Sequence, residues 1–233
     1  MNSILTAREK IIVALDVPSK REALELVGQL RDQISFFKIG LQLYTAEGPE
    51  IVRAVIAAGA KVFLDLKLHD IPNTVAKAVA SAGELGVQML TIHLSGGFET
   101  IRAAIEARKD SMSILGVTVL TSTNNETLRE IGVSDNIDNQ VLRLARLGVA
   151  NGIDGIVASP HEIKIVRTEF GNQIKIVVPG IRPAWSQKDD QKRVMTPREA
   201  LDAGADYLVI GRPIIAQPKP LEALAKILEA LGE

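Results

Sequence analysis

A short β-rich apolar run followed by a helical pattern recurs eight times along this chain, and no other feature restricts its fold as tightly. The runs are Ile11–Asp16, Phe36–Ile39, Lys61–Leu66, Gln88–His93, Ser113–Leu120, Gly155–Ser159, Ile174–Val178 and Tyr207–Ile210. Strands that alternate with helices form parallel βαβ units, because a parallel pair needs a crossover long enough to hold a helix. Eight such units predict a closed (β/α)8 TIM barrel of the α/β class. The 233 residues fit one domain of this kind, and no linker or low-complexity stretch divides residues 1–233. An open doubly wound sheet is the competing arrangement, but no G-x-G-x-x-G follows the first run.

Helix signals support the repeat. Ser19-x-x-Glu22 and Thr196-x-x-Glu199 read as capping boxes, the second with Pro197 at the first helical position. Helix ends recur as Ala58-Gly59-Ala60, Leu85-Gly86-Val87, Asn151-Gly152-Ile153 and Ala203-Gly204-Ala205, where glycine suits a left-handed cap.

Polar residues gather at or just past the C-terminal ends of these strands, the face on which barrel active sites form. They are Asp16, Lys38, Asp65 with Lys67, His93, Thr121, and Gly211 with Arg212. Side chains alternate along a strand, so Asp65 and Lys67 share one face while Leu64, Leu66 and Leu68 share the other. The leucines suit the outer helices, which turns the charged pair into the barrel. By the same rule Lys38 points inward with Phe36, and Phe37 and Ile39 pack outward. Pro72 opens the next helix and Thr74 lies in its first turn.

A purely structural ion pair would explain Asp65 and Lys67, but buried pairs stabilise poorly because desolvation offsets the attraction. Carboxylates flanking Lys67 favour its ammonium form, which makes it a weak Schiff-base nucleophile and a good proton donor. Such a site can stabilise and then protonate a carbanion. Metal binding by Asp16, Asp65, Asp70 and His93 is the competing use, and the two interposed ammonium groups oppose it.

The loops after strands seven and eight carry Val178-Pro179-Gly180-Ile181-Arg182 and Ile210-Gly211-Arg212-Pro213. Glycine lets backbone approach an anion and arginine supplies a forked donor, so these loops suit phosphate. The polar stretch Gln187-Lys188-Asp189-Asp190-Gln191-Lys192-Arg193 suits either a solvated loop or a lid.

Composition removes several alternatives. A net charge of −1 and 3% aromatic residues leave neither a field nor a stacking platform for nucleic acid, and no field for an anionic membrane. Without cysteine there is no disulfide scaffold, zinc–thiolate site, iron–sulfur cluster or thiol nucleophile. No apolar run approaches a membrane span, and a cytoplasmic protein is expected.

The segment Asp65-x-Lys67-x-x-Asp70-Ile71-Pro72-Asn73-Thr74 resembles the signature of the orotidine 5′-monophosphate decarboxylase family, in its short bacterial form. The resemblance extends through Ala14-Leu15-Asp16, Phe37-Lys38-Ile39-Gly40, Leu120-Thr121-Ser122, Pro179-Gly180-Ile181-Arg182, Asp190-Gln191 and Gly211-Arg212. It implies loss of CO2 from orotidine monophosphate to give UMP, the last step of de novo pyrimidine nucleotide synthesis, without cofactor or metal. It implies that Lys67 is the proton donor in a Lys38–Asp65–Lys67–Asp70 array. It further implies ribose contacts from Asp16, Thr74 and Lys38, a pyrimidine contact from Thr121, and a phosphate grip by Arg182, Gln191, Gly211 and Arg212. A homodimer with shared sites is implied, Asp70 and Thr74 reaching into the partner. The alternatives are a Mg-dependent sugar-phosphate decarboxylase or aldolase of related pattern, and a barrel that only binds a phosphorylated ligand.

Overall fold

The computed structural model describes residues 5–186 and 195–233. Eight parallel strands close into a barrel in chain order. They are β1 (Ile11–Ala14), β2 (Phe36–Gly40), β3 (Lys61–Leu68), β4 (Met89–His93), β5 (Ser113–Val117), β6 (Gly155–Val157), β7 (Lys175–Val178) and β8 (Tyr207–Ile210). Each expected run overlaps one strand; Tyr207–Ile210 coincides with β8, and the others differ by a few residues at one end or the other. Parallel strands of a barrel are covered on both faces, so they read as near-continuous apolar runs rich in β-branched residues. Closure is made by β1 pairing with β8, Ile12 opposite Val209.

Some strand ends differ from the sequence reading, and at β5 the reason is that its neighbours leave the ladder. β5 ends at Val117 rather than Leu120, because its last partner on β6 is Val157. β6 accordingly stops short of Ser159, and β1 stops at Ala14, leaving Asp16 two residues beyond it. β3 runs on to Leu68, which pairs with Ile92 of β4.

Two apolar layers follow from the alternation of side chains. Inside the barrel, Ile12, Ala14, Phe36, Phe63, Met89, Leu115, Val177 and Val209 pack together. Outside it, Val13, Phe37, Ile39, Leu64, Leu90 and Ile176 pack against helix residues such as Val27, Val55 and Val79. Each fully buried side chain of this size contributes about 1.5–3 kcal/mol. Phe36 points inward while Phe37 and Ile39 point outward, as expected, which places Lys38 in the interior above the apolar layer.

The helix signals hold with one difference. At Thr196 the full capping box forms, the Glu199 carboxylate accepting from the Thr196 N–H at 2.9 Å. At Ser19 the hydroxyl accepts from the Glu22 N–H, but the Glu22 carboxylate takes the Ser19 hydroxyl rather than its backbone N–H. Gly59, Gly86, Gly152 and Gly204 have φ of 86°, 82°, 81° and 111°, the left-handed ends the sequence called for.

Candidate active site

The interior layer nearest the mouth is polar where the layers below it are apolar. Lys38 is only 9% exposed and needs its charge answered. Its Nζ lies 3.0 Å from Asp16 Oδ1 and 3.9 Å from Asp65 Oδ2. Lys67 Nζ lies 2.9 Å from both oxygens of Asp65. Asp16, Lys38, Asp65 and Lys67 therefore form one alternating array across β1, β2 and β3.

Gly40 makes room for it. A Cβ at this position would sit 2.8 Å from Lys38 Nζ and 3.5 Å from Asp16 Oδ1. Gly211 does the same from the other side, where a Cβ would lie 3.3 Å from Asp16 Oδ2.

β3 departs from regular pleating at Asp65 and Lys67. Leu64 pairs with Leu90 and Leu68 with Ile92, so β3 advances four residues while β4 advances two. Lys67 sits in this bulge with φ of 51°, the only non-glycine residue with positive φ among the described residues. Such a conformation costs on the order of 1–3 kcal/mol and persists only where its surroundings enforce it. The expected sharing of one face by Asp65 and Lys67 is thus reached through a bulge, not by simple alternation.

Thr91 lies opposite this bulge and is fully buried. Its Oγ1 accepts from the Lys67 N–H at 2.8 Å and donates to Asp65 Oδ1 at 3.0 Å. Sequence reasoning passed over it. The available signal was a hydroxyl in the apolar run Met89-Leu90-Thr91-Ile92, on the same alternation as inward-facing Met89.

Asp70 is placed outside the array. It is exposed, it forms no ion pair among the described residues, and its Oδ1 accepts from the Ile71 N–H at 2.6 Å. Thr74 is also exposed, in the first turn of helix Pro72–Glu84, with Ile71 67% exposed beside it.

His93 ends β4, its ring 5.1 Å from that of His69. Burial, then the neighbouring His69 and Lys67, push its imidazole below the ordinary value, with Asp65 opposing. No three His, Asp or Glu side chains group as metal ligands among the described residues.

Thr121 lies exposed in the turn beyond β5. Arg182, after β7, is 6% exposed; its N–H donates to Met195 O at 2.9 Å. Ile181 and Met195 form a parallel bridge flanking the polar stretch that suits either a solvated loop or a lid. That stretch, 187–193, with Gln191, lies outside the described residues. Gly211 caps and Arg212 begins the short helix Arg212–Ile215 after β8. Asp16 approaches both the Lys38 side and the Gly211 side, so the charged array and this loop adjoin.

Comparison with known proteins identifies the family. The family model described as orotidine 5′-phosphate decarboxylase / HUMPS family matches residues 9–227. The chain is 46% identical to the orotidine 5′-phosphate decarboxylase of Syntrophotalea carbinolica, covering 98% of this chain and 97% of that one. It is 47% identical to the enzyme of the same name from Geobacter sulfurreducens, covering 97% of each. Among solved structures, orotidine 5′-phosphate decarboxylase from Lactobacillus acidophilus superposes with a TM-score of 0.85 at 32% identity, covering 97% of this chain and all of that one. The protein is thus a member of the orotidine 5′-phosphate decarboxylase / HUMPS family.

Proposed function

We propose that this enzyme decarboxylates orotidine 5′-monophosphate to UMP, the last step of de novo pyrimidine nucleotide synthesis. The observation that carries the reading is the Asp16–Lys38–Asp65–Lys67 array at a barrel mouth, with Lys38 between Asp16 and Asp65 and Lys67 paired with Asp65. The bond from C6 to the carboxylate carbon breaks, CO2 departs, and the electron pair stays on C6. Lys67 Nζ supplies a proton to that carbon and regains one from water. No neighbouring carbonyl can take up the developing charge, so a close ammonium is the stabiliser available. Asp65, facing the substrate carboxylate, disfavours the bound ground state. No cofactor or metal enters the scheme.

The remaining roles follow the family likeness. Asp16 and Lys38 bind the ribose, with Thr74, and Thr121 contacts the pyrimidine. Arg182, Gln191, Gly211 and Arg212 hold the phosphate. Binding energy at the phosphate, remote from C6, supports the transition state. We further propose a cytoplasmic homodimer with shared sites, in which Asp70 and Thr74 complete the partner's array. Support comes from the exposure of Asp70, Ile71 and Thr74, and from Lys67 pairing only with Asp65 within its own chain among the described residues.

The direct test is loss of orotidine-monophosphate absorbance with a chelator present. Turnover abolished by the chelator would favour the Mg-dependent alternative. The shared site is tested by mixing Lys67→Ala and Asp70→Ala subunits. About a quarter of the sites should regain both residues after random exchange, one in each mixed dimer. No recovery after demonstrated exchange would place Asp70 outside the partner's site.

A further inference from the structure

We propose that Thr91 is a positioning residue for proton transfer, its buried hydroxyl fixing both the Asp65 carboxylate and the left-handed backbone of Lys67. The proposal rests on Lys67 being the proton donor.

Three observations converge on this one hydroxyl. First, β3 carries two residues more than β4 between its flanking pairs, and Thr91 is the β4 residue between Leu90 and Ile92 that faces the surplus. Second, the Lys67 N–H can find no regular ladder partner inside such a bulge, and Thr91 Oγ1 accepts it at 2.8 Å. Third, the same oxygen's proton goes to Asp65 Oδ1 at 3.0 Å. One side chain thus answers a backbone donor and a carboxylate at once, and the direction of each bond dictates the other. Accepting from Lys67 leaves the hydroxyl proton free to point at Asp65.

The consequence is geometric. Lys67 Nζ bonds both Asp65 oxygens at 2.9 Å. The carboxylate therefore sets where the ammonium rests, and Thr91 sets where the carboxylate rests. Thr91 also answers the backbone group at the one strained non-glycine residue among the described residues. Neighbouring inward positions on β4 and β5 hold Met89 and Leu115, so an apolar residue of the same volume would fit the layer. A hydroxyl is there for its bonds.

The test is Thr91→Val, which keeps the shape and deletes the hydroxyl, beside Thr91→Ser, which keeps the hydroxyl. Loss of a hydrogen bond to a charged group predicts a fall in kcat of about 10- to 100-fold for Thr91→Val. KM should stay within about threefold, since substrate affinity is drawn largely from the phosphate end. Thr91→Ser should return kcat to within about threefold of the unmodified enzyme. Amide hydrogen exchange supplies a readout that does not depend on turnover: the Lys67 N–H should be protected in the unmodified enzyme and exposed in Thr91→Val. Retention of kcat by Thr91→Val, an effect confined to KM, or a Thr91→Ser enzyme no better than Thr91→Val would overturn the proposal. Should Thr91→Val fail to fold, the unmodified enzyme and Thr91→Ser still decide: a rapidly exchanging Lys67 amide in either overturns it. Full activity in Lys67→Ala would instead sink the donor assignment, leaving the exchange result to report on Thr91 alone.

Discussion

At the floor of the barrel, where strands begin, Asp154 and Asp206 each accept a neighbouring strand's backbone N–H, from Ile114 at 2.8 Å and Ile176 at 2.7 Å. Their cationic partners are arginines, Arg108 for Asp154 and Arg167 for Asp206. Arg167 also donates to the carbonyls of Gly204 and Ile174, so every donor direction of its planar fork has a use. At the mouth, Asp16 and Asp65 pair with lysines, and no backbone carbonyl joins them among the described residues. Both ends hold carboxylates beside cations, and the chemistry differs. A guanidinium ties several fixed groups together and keeps its proton under all working conditions, while an ammonium is a compact charge that can release one. On the proposed function, the floor is a clasp between strands and the mouth is a reagent.

Substitutions that move one end toward the character of the other test this contrast. Lys67→Ala removes both the cation and the proton, and kcat/KM should fall by about 1,000-fold or more while the thermal midpoint stays close to that of the unmodified enzyme. Lys67→Arg is the sharper experiment. It keeps the charge opposite Asp65 and withdraws the transferable proton, so a loss of about 100-fold should remain in single-turnover kinetics. A fully active Lys67→Arg enzyme would show that charge alone suffices at the mouth.

Asp206→Ala should do the reverse. It strands the Ile176 N–H and one partner of Arg167, and urea unfolding should show about 1–3 kcal/mol of lost stability, with kcat unchanged. Gly40→Ala separates space from fold. The new methyl would meet the flexible end of Lys38, and Gly40 has an ordinary φ of −94°, so the backbone accepts alanine. The ammonium must move, and kcat/KM should fall about 10-fold with little change in stability. An unaltered rate would mean that the Lys38 position is not critical.

The smallest effect concerns pH. His93 titrates below the ordinary imidazole value of 6.5 in the folded protein, chiefly through burial. The unfolded chain then takes up the proton first as pH falls. Stability from this group is present above about pH 6.5 and is lost as acid approaches the folded value. Urea midpoints of His93→Gln should vary less between about pH 7 and about pH 5 than those of the unmodified protein. An unchanged slope would assign the acid sensitivity elsewhere.

Much of this was legible in the linear sequence. Period-two alternation is a local property, so the inward turn of Lys38 and the outward turn of Phe37, Ile39 and Leu64 could be read before any coordinates. Residue identity at strand ends placed Asp16, Lys38, Asp65, Lys67 and His93 at the mouth for the same reason. Boundaries were less legible. Whether β5 continues to Leu120 depends on how far β6 runs, and that partner is some forty residues away in sequence, as the 40-residue separation of Asp154 and Ile114 illustrates.

By itself, then, the sequence determined eight strands, the interior face of β2 and β3, the chemical character of the mouth and the family. Only the tertiary structure decided the bulge in β3, the left-handed Lys67, the double use of Thr91, and the approach of Asp16 to Lys38 beside Gly40. It also put Asp70 on the surface, away from the array of its own chain. The division has one physical cause. Side-chain direction along a strand follows from neighbouring residues, whereas register between strands, and every distance that depends on it, is settled only when the barrel closes.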